Sequence, residues 1–478
     1  MIRRTFVFSS SLALLSLTSV ASGEDARQVL QQATSALGNT TLSSIQYSGS
    51  GASYALGQNA NGNLPWPKFN DKSYTRTVSF SPWASILQRV RTQGENPPHG
   101  GGGQPIFGEQ NQTQIVAAGT PAAATLPDDL AVTLPQAFLK VASDAADASV
   151  KKETVNGKHY QVVSFTAGNK ATTKGWINDQ HLVERVSTKI DNPVLGDIVY
   201  QASFSDYRDF NGVKFPTHIV QKQGGYAVVD WTVNDVKVNV PVDIKAPTPP
   251  ATSPFSSEQL GNGVYLITGG YAAVAVDLKD HILVIEGGQN DQRSEAVINE
   301  VKRLIPNKPI TQLVNTHAHF DHTGGVRAYI AEGATVITHE SNVAYLKKIL
   351  AYPHTLSPDK LARYPKAAKF QGVKEHLTLT DGEHVVELYH EQGFGHHDGA
   401  LIAYLPKEKV LVEADAFNPP AAPVTQTPAN ISPFNQNLVE NIERLKLDVQ
   451  RIVPIHLPAD NRKISLNELL TAVGKSKS

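Results

Sequence analysis

Thr316-His-Ala-His-Phe-Asp-His-Thr-Gly-Gly325 is the stretch that decides how this chain is read. It follows an apolar, strand-like run, Ile310 to Val314, and precedes a helical segment expected to begin near Gly325. Its side chains should therefore gather at a strand end. In an extended chain, residues two apart point the same way, so His317 and His319 can meet one ion. A tighter turn through Asp321 and His322 can aim those two at a second. Gly324 and Gly325 permit the sharp turn and close backbone approach that so crowded a loop needs. A lone histidine is most often a surface or satisfied core residue, but three histidines and an aspartate within six residues have few purely structural uses.

On either side of this loop the chain divides by pattern. After Pro254, strand-like runs (Val274 to Val276, Ile282 to Ile285, Ile310 to Val314, Thr335 to Thr338) alternate with helical periodicity in Arg293 to Leu304 and Ser341 to Leu350. Such alternation predicts an α/β domain over residues 255–478. Ala246-Pro-Thr-Pro-Pro-Ala-Thr-Ser-Pro254 is a linker by composition, because proline removes donors and favours an extended chain. Ahead of it, residues 25–245 favour strands from about Gln46 to Val240, with β-rich runs such as Tyr160 to Phe165 and Ala227 to Val238. This half is expected to be a mainly antiparallel β domain, interrupted from Gly94 to Leu126 by a long mobile loop rich in Gly, Pro, Asn and Gln.

Composition narrows the function. At 478 residues the chain exceeds the roughly 250–300 residues at which a single core stops growing, so two domains are expected. Lys+Arg 43 against Asp+Glu 44 gives a net charge of -1, which argues against a nucleic-acid partner. Arg3 and Arg4, the apolar stretch Phe6 to Val20, and the small residues Ala21 and Ser22 read as a secretory signal peptide over residues 1–22. That apolar stretch is short for a membrane span, so no integral membrane segment is expected after signal removal, and the bacterial periplasm is the expected location. With no cysteine, any metal must be held by nitrogen and oxygen.

The motif His317-x-His319-x-Asp321-His322 resembles the His-x-His-x-Asp-His signature of the metallo-β-lactamase-fold superfamily, over roughly Gly261 to Gly474. The resemblance implies a metallo-β-lactamase-like αβ/βα four-layer sandwich with a metal site at one edge. It also directs attention to further ligands. Phe394-Gly-His-His-Asp-Gly399 looks like the segment supplying a third histidine. Either His396 or His397 could serve, but His396 follows Gly395 as in the family and stands 19 residues before Asp415. Asp415 matches the family's bridging carboxylate, although Glu413-Ala414 replaces the usual glycines. His456, in Ile452-Val-Pro-Ile-His456, matches the last histidine, although Leu457-Pro458 follows it where the family has glycine. The implied centre is binuclear: His317, His319 and His396 on one ion, Asp321, His322 and His456 on the other, Asp415 between them.

Imidazole and carboxylate donors suit zinc, the default, and also iron, manganese or nickel. The resemblance thus implies a hydrolase that activates water against an ester, lactone, lactam or phosphoester-type bond of a small-molecule substrate, with Asp321 orienting the water and receiving its proton. A mononuclear iron dioxygenase of the same fold is one alternative. Another is a periplasmic carrier of apolar ligands, because Ser205-Asp-Tyr-Arg-Asp-Phe-Asn-Gly-Val-Lys-Phe-Pro216 resembles the curved sheet of the LolA/LolB-like lipoprotein carriers. His339, His354, His376, His384 and His390 are read as surface, supporting or core residues. The tail Gly474-Lys475-Ser476 lacks the preceding glycine and following helix of a phosphate loop.

Overall fold

The run Ile282–Ile285 is apolar and buried at every position and pairs in parallel with Ile310–Val314, which pairs in parallel with Thr335–His339. Strands apolar on both faces need cover on both, and this chain supplies it. In the computed structural model, which describes residues 23–38, 41–95, 98–102, 105–249 and 254–475, they are the centre of a seven-stranded sheet. Its order is Ser257–Gly261, Val264–Ile267, Ala273–Asp277, Ile282–Ile285, Ile310–Val314, Thr335–His339, Lys369–Val373. A second sheet of six strands runs His376–Thr380, Val385–His390, Leu401–Leu405, Val410–Glu413, Arg451–Pro454, Ile464–Ser465.

One core lies between these sheets, where Val274, Leu283 and Val314 meet Val386, Leu401 and Val412. Helices cover the outer faces. Asp291–Leu304, Val326–Glu332 and Glu340–Ile349 close the seven-stranded sheet through Val297, Ile330 and Leu346. Pro433–Leu445 and Leu466–Ala472 close the other through Leu438, Ile442 and Leu469. This is the expected four-layer αβ/βα arrangement.

The first half forms one antiparallel sheet of eleven strands, with Gln110–Val116 and Ser149–Val155 at its edges and Ser44–Tyr54 paired to Tyr226–Val238 in the middle. Three helices, Gly23–Ala36, Leu126–Thr133 and Pro135–Asp144, pack on it, an addition to the sheet that strand periodicity alone predicts. Gly175 gives Pro135–Asp144 its seat: a β-carbon there would fall 2.1 Å from Cζ of Phe138.

The expectation of one long mobile loop from Gly94 to Leu126 needs correction. Gln110–Val116 is a strand paired with Trp83–Gln93, and Pro121–Ala124 is a turn of 3-10 helix. Edge pairing needs only a free backbone ladder, so a run of Gln, Asn and Thr with partial burial serves as a strand without an apolar alternation. Gly100 and Gly101 are buried rather than exposed. Of the proline-rich stretch, residues 246–249 and 254 carry no helix or strand, while residues 250–253 and the signal segment 1–22 lie outside the described residues. Among the described residues no helix is long and apolar enough to cross a membrane.

The halves share apolar contacts beyond the connecting chain. Trp66, Val194, Leu195 and Ile198 from the first half belong to the same buried cluster as Ile282, Ala318 and Val326. Trp66 lies 4.4 Å from Tyr226 with the rings tilted by 36°, and stands 6.3 Å from Phe320, inside the histidine loop. Removing so large a buried ring leaves a cavity at the junction. Trp66→Ala should cost about 3–5 kcal/mol in urea unfolding; a loss below about 1 kcal/mol would show that the junction does not need this ring.

Candidate metal centre

Each residue of the centre stands where a strand ends. After Val314, the backbone N–H of Asn315 donates to Ile337 O at 2.9 Å, and His317 to His319 then cross the sheet edge. One turn of helix, Phe320–Thr323, follows, with the N–H groups of His322 and Thr323 donating to His319 O at 3.1 and 2.9 Å. That turn places Asp321 and His322 with Asp415 and His456, the ring of His322 lying 4.3 Å from that of His317. Both glycines behind it are required by close approach: a β-carbon would lie 2.0 Å from Gln289 O at Gly324 and 1.8 Å from Ser294 Oγ at Gly325. His396 comes from the loop before Leu401–Leu405, Asp415 follows Val410–Glu413, and His456 follows Arg451–Pro454.

These segments converge. His317, His319, His396 and Asp415 form one group in which one ligand-capable atom per residue lies within 4.8 Å of the others; Asp321, His322, Asp415 and His456 form a second. Asp415 belongs to both. Its Oδ2 lies 2.7 Å from His322 Nε2, 3.3 Å from His396 Nε2 and 3.4 Å from His317 Nε2, and its Oδ1 lies 3.1 Å from His456 Nε2. All seven residues anticipated as ligands are thus in the two groups. His397 is in neither; its Nδ1 accepts from the N–H of Gly399 at 3.0 Å and its ring packs behind those of His317 and His319. His339, His354, His376, His384 and His390 also stand outside both groups.

The donor set fits divalent metal. Nε2 of His317, Nδ1 of His319 and both ring nitrogens of His396 are buried and make no hydrogen bond. Leaving such groups unsatisfied costs roughly 1–3 kcal/mol each, which a cation accepting their lone pairs would offset. Burial, reinforced by neighbouring imidazoles, holds His317 far below the usual histidine range and His319 down at about 3, so both rings stay neutral with lone pairs available. Burial alone would raise Asp415, yet the rings of His456, His396 and His322 hold it well below the ordinary carboxylate range. Asp321 is lowered against its burial in the same way, chiefly by His322.

Supporting residues outside the ligand motifs surround this set. Glu286, buried at φ +84°, accepts from the hydroxyl of Thr316 at 2.6 Å and lies 3.2 Å from Nδ1 of His322, an arrangement that orients a ligating imidazole. Tyr271 donates its hydroxyl to Asp321 Oδ2 at 3.2 Å and sets its ring edge-on to His456 at 4.7 Å. The first half contributes Gln58 and Asn59, whose amide and carbonyl reach Asp321 and His319. Glu286 ends an apolar strand and precedes two glycines, a signal that could have been found; Gln58 had none.

The model of the Metallo-beta-lactamase superfamily matches residues 267–456. The second half is a metallo-beta-lactamase-like domain. A metallo-beta-lactamase from Pontibacter korlensis is similar at 18% identity over 46% of this chain and 98% of its own, with a TM-score of 0.34. The metallo-beta-lactamase FIM-1 from Pseudomonas aeruginosa, solved in its mono-zinc form, is similar at 18% identity over 47% of this chain and 96% of its own, with a TM-score of 0.34. No curated protein matches the chain. These comparisons do not confirm the likeness of Ser205 to Pro216 to lipoprotein carriers.

Glu413 and Ala414, standing where the superfamily usually has glycines, have a structural role in this chain. Glu413 Oε2 accepts from the N–H groups of Ala416 and Phe417 at 3.0 and 3.2 Å, bracing the turn in which Asp415 takes φ +66°. Burial and the adjacent Glu391 push Glu413 well above the carboxylate range, and burial with the charge of Asp415 pushes Glu391 up to about 8. Between its ordinary value of 4.5 and about 8, Glu391 keeps its proton folded and gives it up unfolded, so its contribution to stability falls as pH rises through that window. In metal-free protein, Glu391→Gln should therefore gain stability relative to wild type between pH 5 and pH 8, read from urea midpoints. A difference that stays constant over this range would contradict the burial of an ionisable Glu391.

Proposed function

We propose that the chain is a metal-dependent hydrolase whose two groups of donors hold two divalent ions, zinc by default, for attack of water on an ester, lactone, lactam or phosphoester-type bond. The observation that carries this reading is the convergence of seven imidazole and carboxylate side chains, from four separated segments, on two overlapping groups that share Asp415. The second group, with its own aspartate and two histidines, favours a pair of ions over the single iron of a dioxygenase. When bound, such ions would make water acidic enough to be nucleophilic near neutral pH and would polarise the oxygen under attack.

The chain's own groups divide the remaining work. Asp321, held ionised beside His322, offers Oδ2 as the acceptor of a proton from water. Tyr271, pushed up by burial and by Asp321, keeps its proton and stays a donor to that carboxylate. Asp321 and His456 keep 24% and 26% of their side-chain surface exposed, whereas His317, His319 and His322 are at 0%, so substrate approaches from the Asp321 and His456 side. Export through residues 1–22 would place this chemistry in the bacterial periplasm.

Protein purified without added metal should contain two equivalents of zinc and hydrolyse at least one of a β-lactam, a lactone, an aryl ester, a phosphodiester and an alkyl sulfate, with loss on chelation and return on adding zinc. Iron in place of zinc, with oxygen uptake and no hydrolysis, would defeat the proposal. On the substrate so found, Asp321→Asn should lose roughly 100-fold or more in kcat, the scale of lost general base catalysis, while its melting temperature changes little. Wild-type turnover by that variant would remove Asp321 from the role of proton acceptor.

A further inference from the structure

The sheet domain of the first half does more than sit beside the metal loop. Residues Gly57 to Ala60 run along it with backbone contacts at both ends: Phe320 N donates to Gly57 O at 3.2 Å and Asp398 N to Ala60 O at 2.8 Å. Nε2 of His319 lies 3.0 Å from Asn59 O, which directs its Nδ1 toward the group of donors. Outside this segment, Gly100 to Gly102 close over the same place. Gly100 N donates to Gly395 O at 2.9 Å, and Gly101 N donates to Gln58 O at 2.8 Å. A β-carbon on Gly101 would fall 2.0 Å from Gln58 Oε1, 2.8 Å from Cε1 of His319 and 3.0 Å from Cε1 of His396, so a residue with a side chain could not pass there without displacing them.

Gln58 lies between the two strips, and its amide can face only one way. The N–H of Gly102 donates to Gln58 at 3.0 Å, and since a backbone N–H cannot accept, the side-chain oxygen must face it. The NH₂ then faces Asp321 and donates to Oδ1 at 2.8 Å. That leaves Oδ2 of Asp321 turned toward His322 Nε2 at 3.5 Å, His456 Nε2 at 3.6 Å and the hydroxyl of Tyr271 at 3.2 Å. A carboxylate turns freely about its last bond; an anchor on one oxygen sets the plane of the other.

We propose that Gln58 is a positioning residue for Asp321, holding one carboxylate oxygen so that the other faces the second group of donors, and that the first half of the chain is thereby part of the catalytic unit. This rests on the binuclear hydrolase reading. It assigns the N-terminal sheet a task within the site itself, as the platform for Gln58 and for the glycine strip that locks the amide of Gln58.

The test uses the full chain, loaded with Co²⁺, as wild type, Gln58→Met and Gln58→Glu. Methionine keeps the length of the side chain and removes the donor; glutamate keeps the shape and sets a carboxylate against Asp321. Three readouts are taken: the visible spectrum of the bound cobalt, the affinity of each ion by chelator competition, and kcat and KM on a hydrolysed substrate of the panel. Both variants should shift the cobalt bands and weaken one of the two ions by roughly 10–100-fold, the usual effect of removing a group that orients a ligand, with a comparable loss in kcat and little change in KM. Glutamate should be the more damaging.

Should Gln58→Met fail to fold, Gln58→Glu carries the same readouts. Wild-type spectra, affinities and kcat in both variants would overturn the inference. So would a fall in melting temperature alone, because that describes a clamp between the halves with no effect on Asp321. If wild-type protein takes up no divalent ion, the hydrolase reading fails and this inference fails with it; if two ions bind and the variants are indifferent, only the role of Gln58 is lost.

Discussion

A single carboxylate among four imidazoles governs this site. Asp415 meets His322, His396, His317 and His456 within 3.4 Å, and it is the only residue common to both groups of donors. In a water-poor interior these rings cannot all be protonated, and the aspartate cannot be left as an isolated anion. The arrangement resolves that conflict by keeping His317 and His319 neutral, with lone pairs exposed inward, and Asp415 ionised. Cations complete such a cluster more readily than protons do, because they satisfy several donors at once.

Much of the surrounding fold exists to hold that carboxylate and its partners still. Asp415 stands in a left-handed turn that Glu413 braces through two backbone N–H groups. His322 is backed by Glu286, which also takes the hydroxyl of Thr316, so the strand before the histidine loop and the loop itself are tied to one buried side chain. The strands that carry these residues are largely buried in sheets packed face to face, which limits how far any ligand can drift.

The two halves of the chain are joined at this same place. Phe320, between two candidate ligands, lies against Gly57 and near Trp66, and Asp321 accepts from Gln58. The sheet domain therefore bears on the geometry of the donors, and an account of the site confined to residues 255–478 omits the groups that anchor Asp321 and back His319. Its eleven strands and three helices pack around a core of their own, and the loops Gly57 to Ala60 and Gly100 to Gly102 reach from it to the metal loop.

Local order in the chain determined the α/β character of the second half and the histidine loop, because strand and helix periods and the clustering of His317, His319, Asp321 and His322 act over a few residues. The resemblance carried by that loop extended the reading to His396, Asp415 and His456, which lie in short recognisable strings. Only the tertiary structure decided that Gly100 and Gly101 are buried, that Gln110–Val116 is an edge strand, and that Glu286, Tyr271 and Gln58 support the ligands. Gln58 and Asp321 are 263 residues apart, and a glutamine after a glycine has no periodicity or motif to mark it. Its role comes from the docking of two sheets through side chains that are ordinary in sequence, a property of packed surfaces that no short window of residues encodes.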